Sequence, residues 1–166
     1  MTAIAIRPEE PRDHAAIGVV TQAAFADAPH SDGSEVRIIE RLRADGDLAL
    51  SLVAEDCDRI VGHVAISPVE ISDGSVGWYG LGPIAVLPSL QRQKIGSRLM
   101  QRAIADMRMQ GARGLVLLGD PAYYARFGFE HDPALRYPGP PPKYFQRLVV
   151  AGDAPSGDVC YAPAFG

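Results

Sequence analysis

Cysteine is scarce in this chain, and the two present, Cys57 and Cys160, stand far apart without the spacing of a metal site. They read as reduced structural thiols, with no base paired to either for acyl transfer through sulfur, and a cytoplasmic setting is the default expectation. Excess positive charge is missing too. Sixteen basic against twenty acidic side chains leave a net charge of -4, which disfavours a nucleic-acid partner. No run approaches the roughly 18 apolar residues of a membrane span, and the start Met1-Thr2-Ala3-Ile4-Ala5-Ile6-Arg7 lacks the basic and apolar regions of a signal peptide. A soluble protein with no membrane partner is expected. What is present is ordinary globular material: 166 residues, 47% hydrophobic and 22% charged, enough for a single domain over 1–166 with its own core.

Periodicity lays out the elements. Ala3 to Arg7 reads as a strand, and a helix begins at Asp13, a candidate N-cap, with Ile17, Val20 and Ala24 on one face. Val36, Ile39 and Leu42 repeat at helical spacing after Ser34, and Asp45-Gly46-Asp47 stops that helix before a strand from Leu48 to Glu55. A long strand from Ile60 to Ser72, interrupted by Pro68, and a run from Val76 to Val86 complete a three-strand antiparallel meander. Ile95, Leu99, Met100, Ala103 and Met107 form the clearest helical stripe, closed by Gly111. Gly114 to Leu118 reads as a buried, parallel-type strand, and Pro121 opens a short helix that Gly128 ends. Pro138 to Pro142 is a rigid loop, and Phe145 to Val150 is expected to pair with Asp158 to Tyr161 as a terminal hairpin.

The stretch with chemical content is Pro88-Ser89-Leu90-Gln91-Arg92-Gln93-Lys94-Ile95-Gly96-Ser97, between a strand and a helix. Unpaired N–H groups and the positive end of a helix dipole converge at such a start, so main chain can hold a pyrophosphate while Arg92 and Lys94 add charge. Gly96 would allow close approach. By itself this pattern does not separate an anion site from the many helix starts that bind nothing.

Gly82-Pro83-Ile84-Ala85-Val86-Leu87-Pro88 followed by Gln91-Arg92-Gln93-Lys94-Ile95-Gly96 resembles the acyl-CoA motif of the GNAT acyltransferases: Gln or Arg, two residues, Gly, one residue, Gly or Ala. Lys94 stands where the family has its first glycine. If it adopts the local backbone conformation, its ammonium adds a phosphate contact; if not, affinity for the donor is reduced or lost. Gly119-Asp120-Pro121-Ala122-Tyr123-Tyr124-Ala125-Arg126-Phe127-Gly128-Phe129 resembles the family's later helix, and narrows the likeness to the YhbS-type predicted acetyltransferases. The order of elements fits over the whole chain.

This resemblance implies an α/β (α+β) GNAT fold, a mixed central sheet flanked by helices with two strands splayed to form the acyl-CoA cleft. It implies an N-acetyltransferase using acetyl-CoA (coenzyme A), with contacts from Ile84, Ala85, Val86, Gln91, Arg92, Gln93, Lys94, Ile95, Gly96, Ser97, Asp120, Tyr123 and Phe127. Asp120 stands where many members carry an asparagine that touches the donor, though it also suits a helix cap. Tyr124 matches the tyrosine that protonates the departing thiolate, with Tyr123 its substitute; an unperturbed phenol near pKa 10 suits a thiol near 8.5. A deprotonated primary amine, on a small molecule or a protein, would attack the thioester directly in a ternary complex, a main-chain N–H near Val86 would steady the oxyanion, and no metal is required. Homodimers are common in the family.

The base is less legible. The run Val76 to Gly82 offers only Trp78 and Tyr79, which leaves a water chain first, Glu70 and His63 as alternatives, and His30 and His131 behind them. Asp27, Asp32 and Glu35 hint at a cationic acceptor, and solvent exposure explains them equally. Two rival readings stand beside the enzyme: a non-catalytic acyl-CoA-binding or regulatory module, prompted by Lys94 and the missing base, and an interaction domain that docks through Pro138 to Pro142.

Overall fold

Cys57 (φ 49°) and Asp58 (φ 67°) reverse the chain in two left-handed residues, the geometry that matches the twist of adjoining strands. The apolar runs on either side therefore close into the hairpin of β2 (Leu50–Asp56) and β3 (Arg59–Pro68). The computed structural model describes residues 3–29 and 31–166. On the outer edge of β2 lies β1 (Ile4–Pro8), and on the other side of β3 lies β5 (Trp78–Val86), both antiparallel, as the meander requires. β6 (Gly114–Leu118) joins β5 in parallel, reached through α3 (Ile95–Met109), and β8 (Phe145–Val149) closes the far edge. The main sheet thus runs β1-β2-β3-β5-β6-β8.

α3 covers one face of this sheet. Ile95, Leu99, Met100, Ala103, Ile104 and Met107 are its buried stripe, each large side chain worth about 2 kcal/mol of transfer free energy. α1 (His14–Phe25) and α2 (Glu35–Asp45) also pack against the core through Ile17, Val20 and Ile39. A second, smaller cluster joins Val69, Trp78, Val116, Phe145 and Val159.

Three expectations need correction. The run from Ile60 to Ser72 is not one strand: Pro68 has no N–H to continue the ladder, and beyond it β4 (Glu70–Ile71) leaves for a second sheet. The terminal hairpin does not form. Phe145 pairs with Leu118 on the open edge of β6, while β9 (Gly157–Cys160) lies between β4 and β7 (Leu135–Arg136), where Val159 reaches the smaller cluster. Asp13 stands at the N-cap of α1 as expected, but its side chain does not bond the helix's first turn. It accepts from Arg7 at 2.7 and 3.0 Å and from the Glu10 N–H at 2.7 Å, tying β1 to the start of the helix. Ser34 likewise makes no side-chain cap on α2.

Candidate active site

β5 and β6 pair only over Trp78↔Gly114, Tyr79↔Leu115 and Gly80↔Val116. Beyond Gly80 the register of β5 against β3 shifts, Val64 facing Ile84 and Ile66 facing Leu81, so β5 carries one extra residue there and bends. The two parallel strands part, and a cleft of about 530 Å³ opens at their C-terminal ends. The N–H of Leu87 is bonded to Val61 on β3, so by strand alternation the main-chain groups of Ile84 and Val86 point away from β3, toward the gap. The Val86 carbonyl accepts from the Gln91 side-chain amide at 3.2 Å, which folds the following loop back onto the strand.

That loop delivers a row of donors. From Arg92 to Ser97 no main-chain N–H has an acceptor among the described residues, and Lys94, the N-cap of α3, makes no side-chain cap. The first intrahelical bond is Arg98 N–H to Lys94 O at 3.0 Å. Both Arg92 (φ 67°) and Lys94 (φ 68°) occupy the left-handed region. Lys94 therefore does adopt the conformation that its glycine-like position demands, at a backbone cost of about 1 to 2 kcal/mol. A Cβ on Gly96 would meet only the Tyr123 hydroxyl at 3.6 Å and Val86 Cγ2 at 3.8 Å. The fold itself tolerates a methyl group there, so nothing in the protein's own packing requires glycine; the open space faces the cleft.

The opposite wall comes from α4 (Pro121–Tyr124) and the turn after it. Asp120 accepts from the Ala122 N–H at 3.0 Å and is a helix cap; it does not line the cleft. Tyr123 and Tyr124 do line it, with their rings edge to face at 4.9 Å. The Tyr123 hydroxyl bonds Ser97 Oγ at 3.1 Å, joining the two walls. Burial, then the neighbouring Tyr123 and Asp120, push the Tyr124 phenol up to about 12. It holds its proton more firmly than an exposed tyrosine, which suits hydrogen-bond donation better than full proton transfer.

Of the residues expected to contact the donor, Ile84, Ala85, Val86, Gln91, Arg92, Lys94, Ile95, Gly96, Ser97 and Tyr123 line this one cleft, together with Tyr124. Gln93 and Phe127 do not: Gln93 is exposed on the loop, and Phe127 packs beneath Tyr123 at 5.5 Å. Leu90 and Arg126 line it and were not anticipated. Arg126 lies over the Tyr123 ring at 4.5 Å, a neighbour that its i, i+3 spacing on a short helix would have disclosed.

Among the described residues no Asp, Glu or His lines the cleft. Glu70 is exposed on β4 in the second sheet, and His131 lines a different cavity beside the proline loop. His63 is buried, its Nε2 2.7 Å from Ser51 Oγ and its Nδ1 without a partner among the described residues. Burial, opposed by Glu9 and reinforced by Arg43, lowers it to about 4, so it is neutral near pH 7. His30 lies outside the described residues. Both thiols, Cys57 and Cys160, are free and exposed, away from the cleft. Among the described residues no cluster has the composition of a metal site, and no helix is long and apolar enough to cross a membrane.

Residues 47–131 match the acetyltransferase (GNAT) domain family. The chain is 36% identical to Escherichia coli K12 YhbS, described as an uncharacterized N-acetyltransferase, over 92% of this chain and 90% of that one. A GNAT family acetyltransferase from Brucella melitensis, solved in complex with acetyl-CoA, superimposes with a TM-score of 0.89 at 46% identity over 99% of both chains. The E. coli YhbS structure, in complex with CoA, gives 0.91 at 31% identity, over 99% of this chain and 93% of that one. A cleft opened by parting parallel strands, with an uncapped helix start on one wall and paired tyrosines on the other, is thus set in a chain that belongs to the GNAT acetyltransferase family.

Proposed function

We propose that this protein is an acetyl-CoA-dependent N-acetyltransferase that acts on a primary amine of a small molecule or protein by direct attack in a ternary complex. One observation carries the reading: the run of unpaired N–H groups from Arg92 to Ser97, at the uncapped start of α3, opens on the cleft where β5 and β6 separate. Ile95 is buried and Gly96 and Ser97 are half-buried, where an amide without an acceptor is costly unless an anion meets it, and a pyrophosphate offers both charge and acceptor oxygens. The acetyl-CoA and CoA complexes of the two relatives support the same occupant.

In this reading the donor supplies an activated thioester. Arg92, Lys94 and Arg126 give the phosphates their countercharge, and Ile84 and Val86 offer peptide groups to an extended amide-bearing arm. A main-chain N–H near Val86 stabilises the oxyanion, and the Tyr124 hydroxyl donates to sulfur as the C–S bond breaks. The amine's proton leaves to solvent, since among the described residues no carboxylate or imidazole lines the cleft. That same absence favours a second reading, a non-catalytic acyl-CoA-binding module. The exposed thiols Cys57 and Cys160 support a reducing, cytoplasmic setting.

Calorimetric titration with acetyl-CoA tests the first step. Micromolar binding is expected, weakened about a hundredfold in an Arg92→Ala, Gly96→Tyr double variant; no binding of acetyl-CoA or of longer acyl-CoAs by the native protein would sink the proposal. Given binding, an amine screen separates the two readings, because turnover belongs only to the enzyme. Tyr124→Phe should then lower kcat about a hundredfold with little change in KM for acetyl-CoA.

A further inference from the structure

Gln146 is an amide where the pattern calls for a hydrocarbon. It lies on β8 opposite Leu117, is 1% exposed, and its Oε1 is buried without a partner. A leucine or methionine would fill such a position without that unpaired acceptor. The other end of the amide explains its presence. Nε2 donates to the Gly119 carbonyl at 3.0 Å and to the Tyr144 carbonyl at 3.4 Å, and the same Tyr144 carbonyl accepts from the Gly119 N–H at 3.0 Å. Gly119, the link between β6 and α4, is therefore held at both its N–H and its C=O by the start of β8.

Gly119 in turn bears on Tyr124. Its φ lies outside the left-handed region, so the backbone does not require glycine there. Space does: an added Cβ would sit 2.3 Å from Tyr124 Cε2. The ring rests on the bare Cα of Gly119, and no hydrogen bond from a described residue holds its hydroxyl, which leaves the phenol's place to packing alone.

We propose that Gln146 is a positioning residue for Tyr124: by fixing the carbonyl of Gly119 it fixes the surface on which the Tyr124 ring lies, and so where the hydroxyl stands over the cleft. The catalytic consequence rests on the donation to sulfur proposed for Tyr124 above; the positioning does not. A displacement of about 1 Å at a reacting group can cost up to about a hundredfold in rate.

The test is NMR of ring-labelled tyrosine, with the Tyr124 signals identified by their loss in Tyr124→Phe. In folded Gln146→Leu and Gln146→Met proteins the Tyr124 signals should shift or split while those of Tyr137 and Tyr161 stay in place. Gly119→Ala, which pushes on the ring directly, should move the same signals. With an acceptor in hand, Gln146→Leu should lower kcat about tenfold and leave KM for acetyl-CoA within about twofold. Unmoved Tyr124 signals in a folded Gln146 variant would overturn the proposal, and so would an equal loss through KM alone. Native kcat in Tyr124→Phe would instead remove the acid role, and the ring signals would still decide the positioning.

Discussion

Lys94 adopts a left-handed conformation that glycine takes without strain, and beside it Arg92 does the same. Two strained cations in three residues make sense if their charge is used at the cleft they line. Lys94→Gly separates backbone from charge, because it keeps the turn and deletes only the ammonium. The variant should bind acetyl-CoA about threefold more weakly in low salt and equally well near 1 M salt, where surface charge is screened; calorimetry at two ionic strengths checks this. Equal loss at both would mean that the side chain acts through packing. Tyr124 carries the opposite lesson, since its unperturbed chemistry suits proton donation to a thiolate while its burial holds the proton back.

At the scale of elements, the short parallel contact of β5 with β6 decides where the cleft begins. Gly114 opens β6 directly under Trp78; a Cβ there would lie 2.2 Å from the indole. Glycine at this position lets the two strands pair for three residues before they part. Gly114→Ala should destabilise the fold by about 2 to 3 kcal/mol through overpacking. Urea unfolding followed by fluorescence is a direct check, because Trp78 is the chain's single tryptophan. An unchanged midpoint would show that the indole can move aside. Pro68 acts in the reverse sense: by ending β3 it sends β4 to the second sheet.

For the whole molecule, acid should act in two windows. His63 is lowered to about 4, chiefly by burial, whereas the unfolded chain takes up that proton near 6.5. The unfolded state binds more protons between these values, so stability should fall by up to about 3 kcal/mol as pH drops from 6.5 to 4. His63→Gln should flatten that slope in thermal melts; a slope that survives the substitution would assign it elsewhere. Below pH 4 a second loss is expected from Asp13, held low first by its bond to Arg7, and from Asp132, held low by the Ala134 N–H and Arg147. Their stabilisation is present above the usual carboxylate range and disappears as pH falls through the depressed values.

Local pattern alone was enough to read α3, whose stripe repeats at 3.6 residues, and the turns at Gly46 and Gly111, whose glycines take the left-handed angles those positions need. It also placed the loop from Gln91 to Ser97 at a helix start, while the resemblance to the GNAT motif is what singled that start out from others. What tertiary structure decided was everything that depends on a distant partner. The edge taken by β8, the place of β9, and the approach of Arg126 and Tyr124 to the cleft are contacts between segments far apart in sequence. Gln146 shows the physical reason most clearly. As one polar residue in an apolar strand it has no periodic signature, and its meaning appears only when folding carries Gly119 within 3.0 Å.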